Sequence, residues 1–141
     1  MQDGELFLRE LCYETDLTNR DVIKKLEEVG VVRGIDEVIA DSNEPKSIHE
    51  LKTNGWLIRP APKGKDSINH GIDILKQYKI NILSDSINLI REFRTYRWMT
   101  DKITGKTINK PIGGQDHGID AIRYVALAKL NKKRIFLRQW N

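Results

Sequence analysis

The stretch Val38-Ile39-Ala40-Asp41-Ser42-Asn43-Glu44-Pro45-Lys46 decides how the chain is read. An apolar run of strand type ends in an acid, a turn and a proline follow, and a helical pattern begins. In an α/β sheet, side chains at the carboxyl ends of strands face the crevice where ligands bind. Asp41 stands at such an end, where a carboxylate can hold a hard cation through oxygen. The same residue would also serve as a cap for the helix or its turn.

Working outward, strands and helices alternate. Glu5 to Tyr13 mixes apolar and charged residues in the rough alternation of a half-buried strand. Thr18 and Asn19 are cap-type residues before Val22, Ile23, Leu26 and Val29, which recur at helix spacing until Gly30. Asp36 to Ala40 is the next strand. Pro45 suits the first turn of a helix running to about Asn54, with Ile48 and Leu51 inside. Trp56 to Ala61 is a short strand bounded by prolines. Lys63-Gly64-Lys65 is a basic turn, and Asp66 or Ser67 caps a helix carrying Ile68, Ile72, Leu75 and Tyr78.

Asn81 to Leu83 is a very short strand, and Ser84-Asp85-Ser86 opens a helix with Leu89, Ile90 and Phe93 inside. Tyr96 to Thr100 and Lys106 to Lys110 flank a hairpin turn at residues 101–105. The last helix runs from near Gln115 to about Lys129, with Ile119, Ile122, Tyr124, Val125 and Ala126 facing inward. Strands joined through helices imply parallel pairing, and the hairpin adds an antiparallel part. The expected class is α/β with a mixed sheet flanked by helices.

The totals agree with one folded domain. The chain has 141 residues, 39% hydrophobic and 31% charged, which suits a packed core rather than disorder. No apolar run approaches the ~18 residues that cross a membrane, and the first residues lack the pattern of a signal peptide. The single cysteine, Cys12, lies in an apolar run and is expected to be a small buried hydrophobe rather than a nucleophile. The net charge of +4 permits an anionic partner without demanding one. Lys129 to Asn141 holds five basic residues and no acid, and Arg59 to Lys65 holds three and no acid.

The second chemical constellation opens the last helix, Gln115-Asp116-His117-Gly118-Ile119-Asp120. Residues three and four apart share a helix face, so His117 with Asp120, and Asp116 with Asp120, gather two carboxylates and an imidazole. Acids at a helix start also favour its dipole, which needs no ligand. Gly118 weakens the first turn by about 1 kcal/mol, pointing to a close approach to the backbone by a ligand or a packing neighbour. Acids at a strand end and a helix start, with a histidine beside them, are the usual dress of a Mg²⁺ or Mn²⁺ site for phosphoryl transfer. His117 could ligate or shuttle a proton. His49 and His70 read as surface residues. No HExxH, CxxC, GxSxG or Walker A pattern is present.

Ile39 to Ile48 resembles the nuclease domain of bacteriophage large terminase subunits. Three later runs carry the same resemblance: Lys63-Gly64-Lys65-Asp66-Ser67-Ile68 with Gly71-Ile72; Leu89-Ile90-Arg91-Glu92-Phe93 with Tyr96 and Trp98; and Asp116 to Tyr124. The resemblance implies a ribonuclease H-like fold over residues 1–128, with residues 129–141 as a basic tail. It implies metal-dependent cleavage of concatemeric viral DNA. It makes Asp41 the second of three metal-holding acids and Asp120 the third, with His117 beside it. Glu44 and Asp116 would lie near the site, and Lys63, Lys65 and Arg59 would meet DNA.

In that family the first acid stands on a strand upstream of the segment resembling Glu5 to Tyr13. It has no counterpart here, and Asp3 is a poor substitute. The ATPase domain has none either. The expectation is therefore an N-terminally truncated domain, whose two further strands would stand between the Glu5–Tyr13 and Val38–Ala40 strands. Double-stranded DNA, the rest of a large subunit, the small subunit and the portal are the implied partners, in the cytoplasm of a bacterial host. The other reading is a catalytically inactive remnant or accessory protein that binds DNA or a terminase partner.

Overall fold

The computed structural model describes residues 4–96, 98–100, 107–109 and 116–131. The expected hairpin turn at 101–105 and the tail beyond 131 lie outside them. Eleven elements follow in order among the described residues: β1 (Glu5–Leu8), α1 (Asn19–Glu28), β2 (Glu37–Ala40), α2 (Pro45–Thr53), β3 (Leu57–Pro60), α3 (Ser67–Leu75), β4 (Lys79–Ile82), α4 (Ile87–Thr95), β5 (Trp98–Thr100), β6 (Thr107–Asn109) and α5 (His117–Lys129).

The strands form three two-stranded ladders. β1 runs parallel to β4 with Leu6 opposite Ile80, β2 runs parallel to β3 with Val38 opposite Ile58, and β5 pairs antiparallel with β6. The parallel pairing and the hairpin agree with the alternation in the sequence. Among the described residues, β1 pairs only with β4 and β2 only with β3, so each of these four strands keeps one open edge.

Two apolar clusters hold these pieces. Leu6, Ile74, Leu75, Tyr78, Ala126 and Leu127 join the first pair to α3 and α5. Ile48, Leu51, Trp56 and Ile58 join the second pair to α2, with Val22, Ile23 and Leu26 of α1 packed on them. α5 is shared, packing on α3, α4 and β2. Lys129 at the end of α5 pairs with Glu37 at the start of β2.

Local chemistry explains most boundaries. Thr18 and Asp21 form a reciprocal cap on α1: the Asp21 amide donates to Thr18 Oγ1 at 3.1 Å, and the Thr18 amide donates to Asp21 Oδ2 at 3.0 Å. These bonds hold the Asp21 carboxyl below its ordinary value. Pro45 occupies the first turn of α2.

Several expectations are corrected. β1 stops at Leu8, because residues 9–13 leave the ladder to reach α4. There the Glu10 amide donates to Ser86 Oγ at 2.9 Å, the Asn88 amide donates to Glu10 Oε1 at 3.1 Å, and Arg9 pairs with Asp85. Cys12 follows that path and is exposed rather than buried. Asp66 makes no cap bond to α3, and Ile68 is exposed. On α5 the buried face is Ile119, Arg123, Ala126 and Leu127, while Val125 is exposed. The spacing i, i+4, i+7, i+8 is the expected helix period, with an arginine occupying a position that reads as polar.

Candidate functional site

Asp41 is the first residue beyond β2 and is half-buried. Its Oδ1 accepts the Asn43 amide at 3.0 Å, and its carbonyl accepts the Glu44 amide at 3.2 Å. The carboxylate therefore organises its own turn while standing at the strand end. Glu44 is the N-cap residue of α2, exposed, with no side-chain cap bond. Lys63 donates through Nζ to Asn43 Oδ1, which draws the basic turn towards the Asp41 loop. Lys65 is exposed.

Arg59 behaves differently from the two lysines. Its guanidinium pairs with Glu37, which also pairs with Lys129, and reaches the Ala128 carbonyl at 3.4 Å. The two cations hold the Glu37 carboxyl below its ordinary value, Lys129 foremost. A phosphate at Arg59 would compete with a pair that ties β2 and β3 to the end of α5.

On α5, Asp116 is the N-cap residue without a side-chain cap bond, and His117 is exposed. Asp120 is half-buried, and its Oδ1 accepts from Arg123 Nη2 at 3.0 Å. Burial pushes the Asp120 carboxyl above its ordinary value, against the pull of the Arg123 guanidinium. Burial foremost raises the Tyr124 phenol, and the charges of Asp41 and Asp120 push it further. His117 lies within electrostatic reach of Asp120. It lines a neighbouring cleft of about 180 Å³ with Cys12, Tyr13, Glu14, Thr15, Gly118 and Ala121, a lining that includes neither acid.

Oxygen donors on Asp41 and Asp120 suit Mg²⁺ or Mn²⁺. Among the described residues, however, no three His, Cys, Asp or Glu side chains stand together as a metal-holding group. The acids present match the chemistry of such an ion and do not by themselves complete its shell.

One residue, quoted in the sequence only as part of a matching run, has a role that the sequence reading did not assign. Glu92 on α4 is 1% exposed, and both its carboxylate oxygens are engaged. Oε2 accepts the Tyr13 hydroxyl at 2.6 Å and the Gly118 amide at 3.0 Å, and Oε1 accepts the Ile119 amide at 3.0 Å. The Tyr13 hydroxyl is raised chiefly by that bond. A Cβ on Gly118 would lie 2.9 Å from Leu89 Cδ1 and 3.2 Å from Glu92 Oε2, so the close approach foreseen at Gly118 is to α4.

Parallel strand pairs joined through helices, with one antiparallel pair, make an α/β domain among the described residues. A family profile described as the terminase RNAseH like domain matches residues 1–128, and the chain belongs to that family. The large terminase subunit of Bacillus phage SPP1 is 37% identical over 105 residues, covering 71% of this chain and 24% of its own length. The crystal structure of the nuclease domain of the SPP1 large terminase with bound Mn superposes with a TM-score of 0.65 at 31% identity. It covers 79% of this chain and 63% of that one. The chain therefore spans about a quarter of the SPP1 large subunit it matches.

Proposed function

We propose that the chain is the metal-dependent DNA-cleaving part of a phage terminase large subunit, acting on concatemeric viral DNA. The observation that carries this reading is the packing of α5, which bears Asp120 on its first turn, against β2, whose end is followed by Asp41. The Mn bound in the SPP1 nuclease domain supports the use of a divalent ion. Asp41 and Asp120 would hold the ion through oxygen, with Glu44 and Asp116 nearby. When bound, the ion would supply charge stabilisation to a phosphodiester under attack. His117, beside Asp120, would hold or move a proton. Lys63 and Lys65 would receive DNA phosphate. The proposed setting is the cytoplasm of a bacterial host, with double-stranded DNA, the rest of the large subunit, the small subunit and the portal as partners. Among the described residues no helix is long and apolar enough to cross a membrane.

The incomplete acid set favours a second reading, an accessory that binds DNA or a terminase partner without cutting. Supercoiled plasmid separates the two. The first reading expects Mn²⁺-dependent nicking that EDTA stops, faster in the full-length subunit, where a further acid can complete the shell. DNA binding with no nicking in either form selects the second.

A charge test follows from the basic turn. Each phosphate neutralised by a lysine contributes about 0.9 to the slope of log K against log salt. Lys63→Ala with Lys65→Ala should therefore flatten that slope by about two units and weaken every DNA sequence alike. Fluorescence anisotropy across a salt series measures it, and an unchanged slope assigns both lysines to solvent.

A further inference from the structure

We infer that Glu92 is the positioning residue of the proposed site, holding the first turn of α5 and with it His117 and Asp120. The inference rests on the reading of Asp120 as a metal-holding acid. A helix leaves its first amides without intrahelical partners, and the N-cap side chain normally takes those at the second and third positions. In α5 the N-cap residue Asp116 makes no such bond. The two amides in question belong to Gly118 and Ile119, and both donate to Glu92, which comes from a different helix 26 and 27 residues earlier. The cap is therefore supplied across the fold.

The arrangement is built rather than incidental. Glu92 is buried, its two oxygens carry three hydrogen bonds, and Gly118 lacks the side chain that would crowd both Leu89 and the carboxylate. Tyr13 adds the third bond from the segment that leaves β1, and Glu10 of the same segment caps α4 through the Asn88 amide. The path from β1 through α4 to α5 thus ends on the turn that bears His117 and Asp120. With both oxygens engaged, Glu92 is not a spare metal acid. It acts on the site through the backbone of its neighbours.

Glu92→Gln keeps the volume and removes the charge. Either orientation of the amide sets an NH₂ against the Gly118 or the Ile119 N–H. In the metal-free chain, hydrogen exchange at Gly118 and Ile119 should accelerate by at least about tenfold relative to Ala126 and Leu127 at the other end of the helix. Mn²⁺ affinity, read by the electron paramagnetic resonance of the free ion, should fall by about 10–100-fold, as for loss of other outer partners of a ligand. Leu26→Ala, which loosens the distant α1 packing, should lower the melting temperature and leave both readouts in place.

If Glu92→Gln does not fold, Tyr13→Phe decides. It should shift the Gly118 amide proton, whose acceptor Oε2 it shares, more than the Ile119 amide proton. Uniform exchange along α5 in Glu92→Gln, or unmoved amides in Tyr13→Phe, overturns the assignment. If the wild-type chain binds no Mn²⁺, the metal reading fails separately, and the exchange comparison still decides whether Glu92 holds the turn.

Discussion

Asp41→Asn is expected to lower Mn²⁺ affinity by more than about tenfold and Mn²⁺-dependent cleavage by more than about a hundredfold, exceeding what outer partners of a ligand contribute. It should leave the melting temperature within about 2 °C, as for a surface change of a few tenths of a kcal/mol. The two effects separate because of what Asp41 does in the turn. Its Oδ1 accepts the Asn43 amide, and an asparagine Oδ1 accepts the same bond. Only the negative charge is lost, and a hard cation depends on that charge. Titration of Mn²⁺ against the chain, nicking by the full-length subunit and calorimetric melting read the three quantities. Wild-type cleavage by Asp41→Asn would move the site elsewhere.

Asp120→Asn is expected to lose metal and cleavage to the same degree, with a small net effect on the fold. Arg123 is 8% exposed on its side chain and has Asp120 as its ion-pair partner. Losing that partner costs at the lower end of about 1–3 kcal/mol, because the Asp120 side chain is 34% exposed and solvent screens the pair. The same substitution removes a charge that burial disfavours, since the Asp120 carboxyl is held above its ordinary value chiefly by burial. The two effects oppose, so calorimetric melting should move by no more than about 4 °C, and a larger fall would show that the Arg123 pair outweighs the burial of the acid.

The contrast between these acids marks where sequence reading succeeds. The strand end at Asp41 and the turn to Pro45 are local events, written in consecutive residues, and the ladder and helix form where the pattern places them. The first turn of α5 is equally local. Glu92 is not. Inside Arg91-Glu92-Phe93-Arg94 it reads as a solvated charge on an amphipathic helix, and its partners lie 79, 26 and 27 residues away. Only Gly118 hinted at a neighbour, without naming it. Arg123 was missed for a related reason: a guanidinium at a core position breaks the apolar period that identifies a buried face. The division of the strands into separate parallel pairs is a tertiary outcome, and propensity contains nothing that dictates it. Arg59 was legible as a basic residue, whereas its pairing with Glu37 across two strands was not.

Gly71→Ala is expected to destabilise the chain by up to about 2 kcal/mol, lowering its melting temperature by up to about 8 °C. Position 71 lies within α3, where exchanging glycine for alanine ordinarily gains about 0.8–1 kcal/mol. Here the added Cβ would meet Arg123 Cγ at 2.2 Å, Arg123 Cδ at 3.0 Å and Leu127 Cγ at 3.4 Å. Arg123 cannot swing aside freely. Its guanidinium is held by Asp120 and lies 5.2 Å from the centre of the Tyr124 ring, and its Nε is buried without a hydrogen-bond partner. Overpacking of this kind costs about 1–3 kcal/mol, enough to reverse the helix gain. The reversal should depend on Arg123. In an Arg123→Ala background the crowding atoms are absent, and Gly71→Ala should become neutral or stabilising. A double-mutant cycle should therefore give a coupling of at least about 1 kcal/mol between the two positions. Gly64→Ala, with nothing within 4 Å of the added carbon, is the control and should leave melting unchanged. A Gly71→Ala variant that melts higher than wild type would show that α3 and α5 do not pack through Arg123, and the ion pair on Asp120 would lose its support.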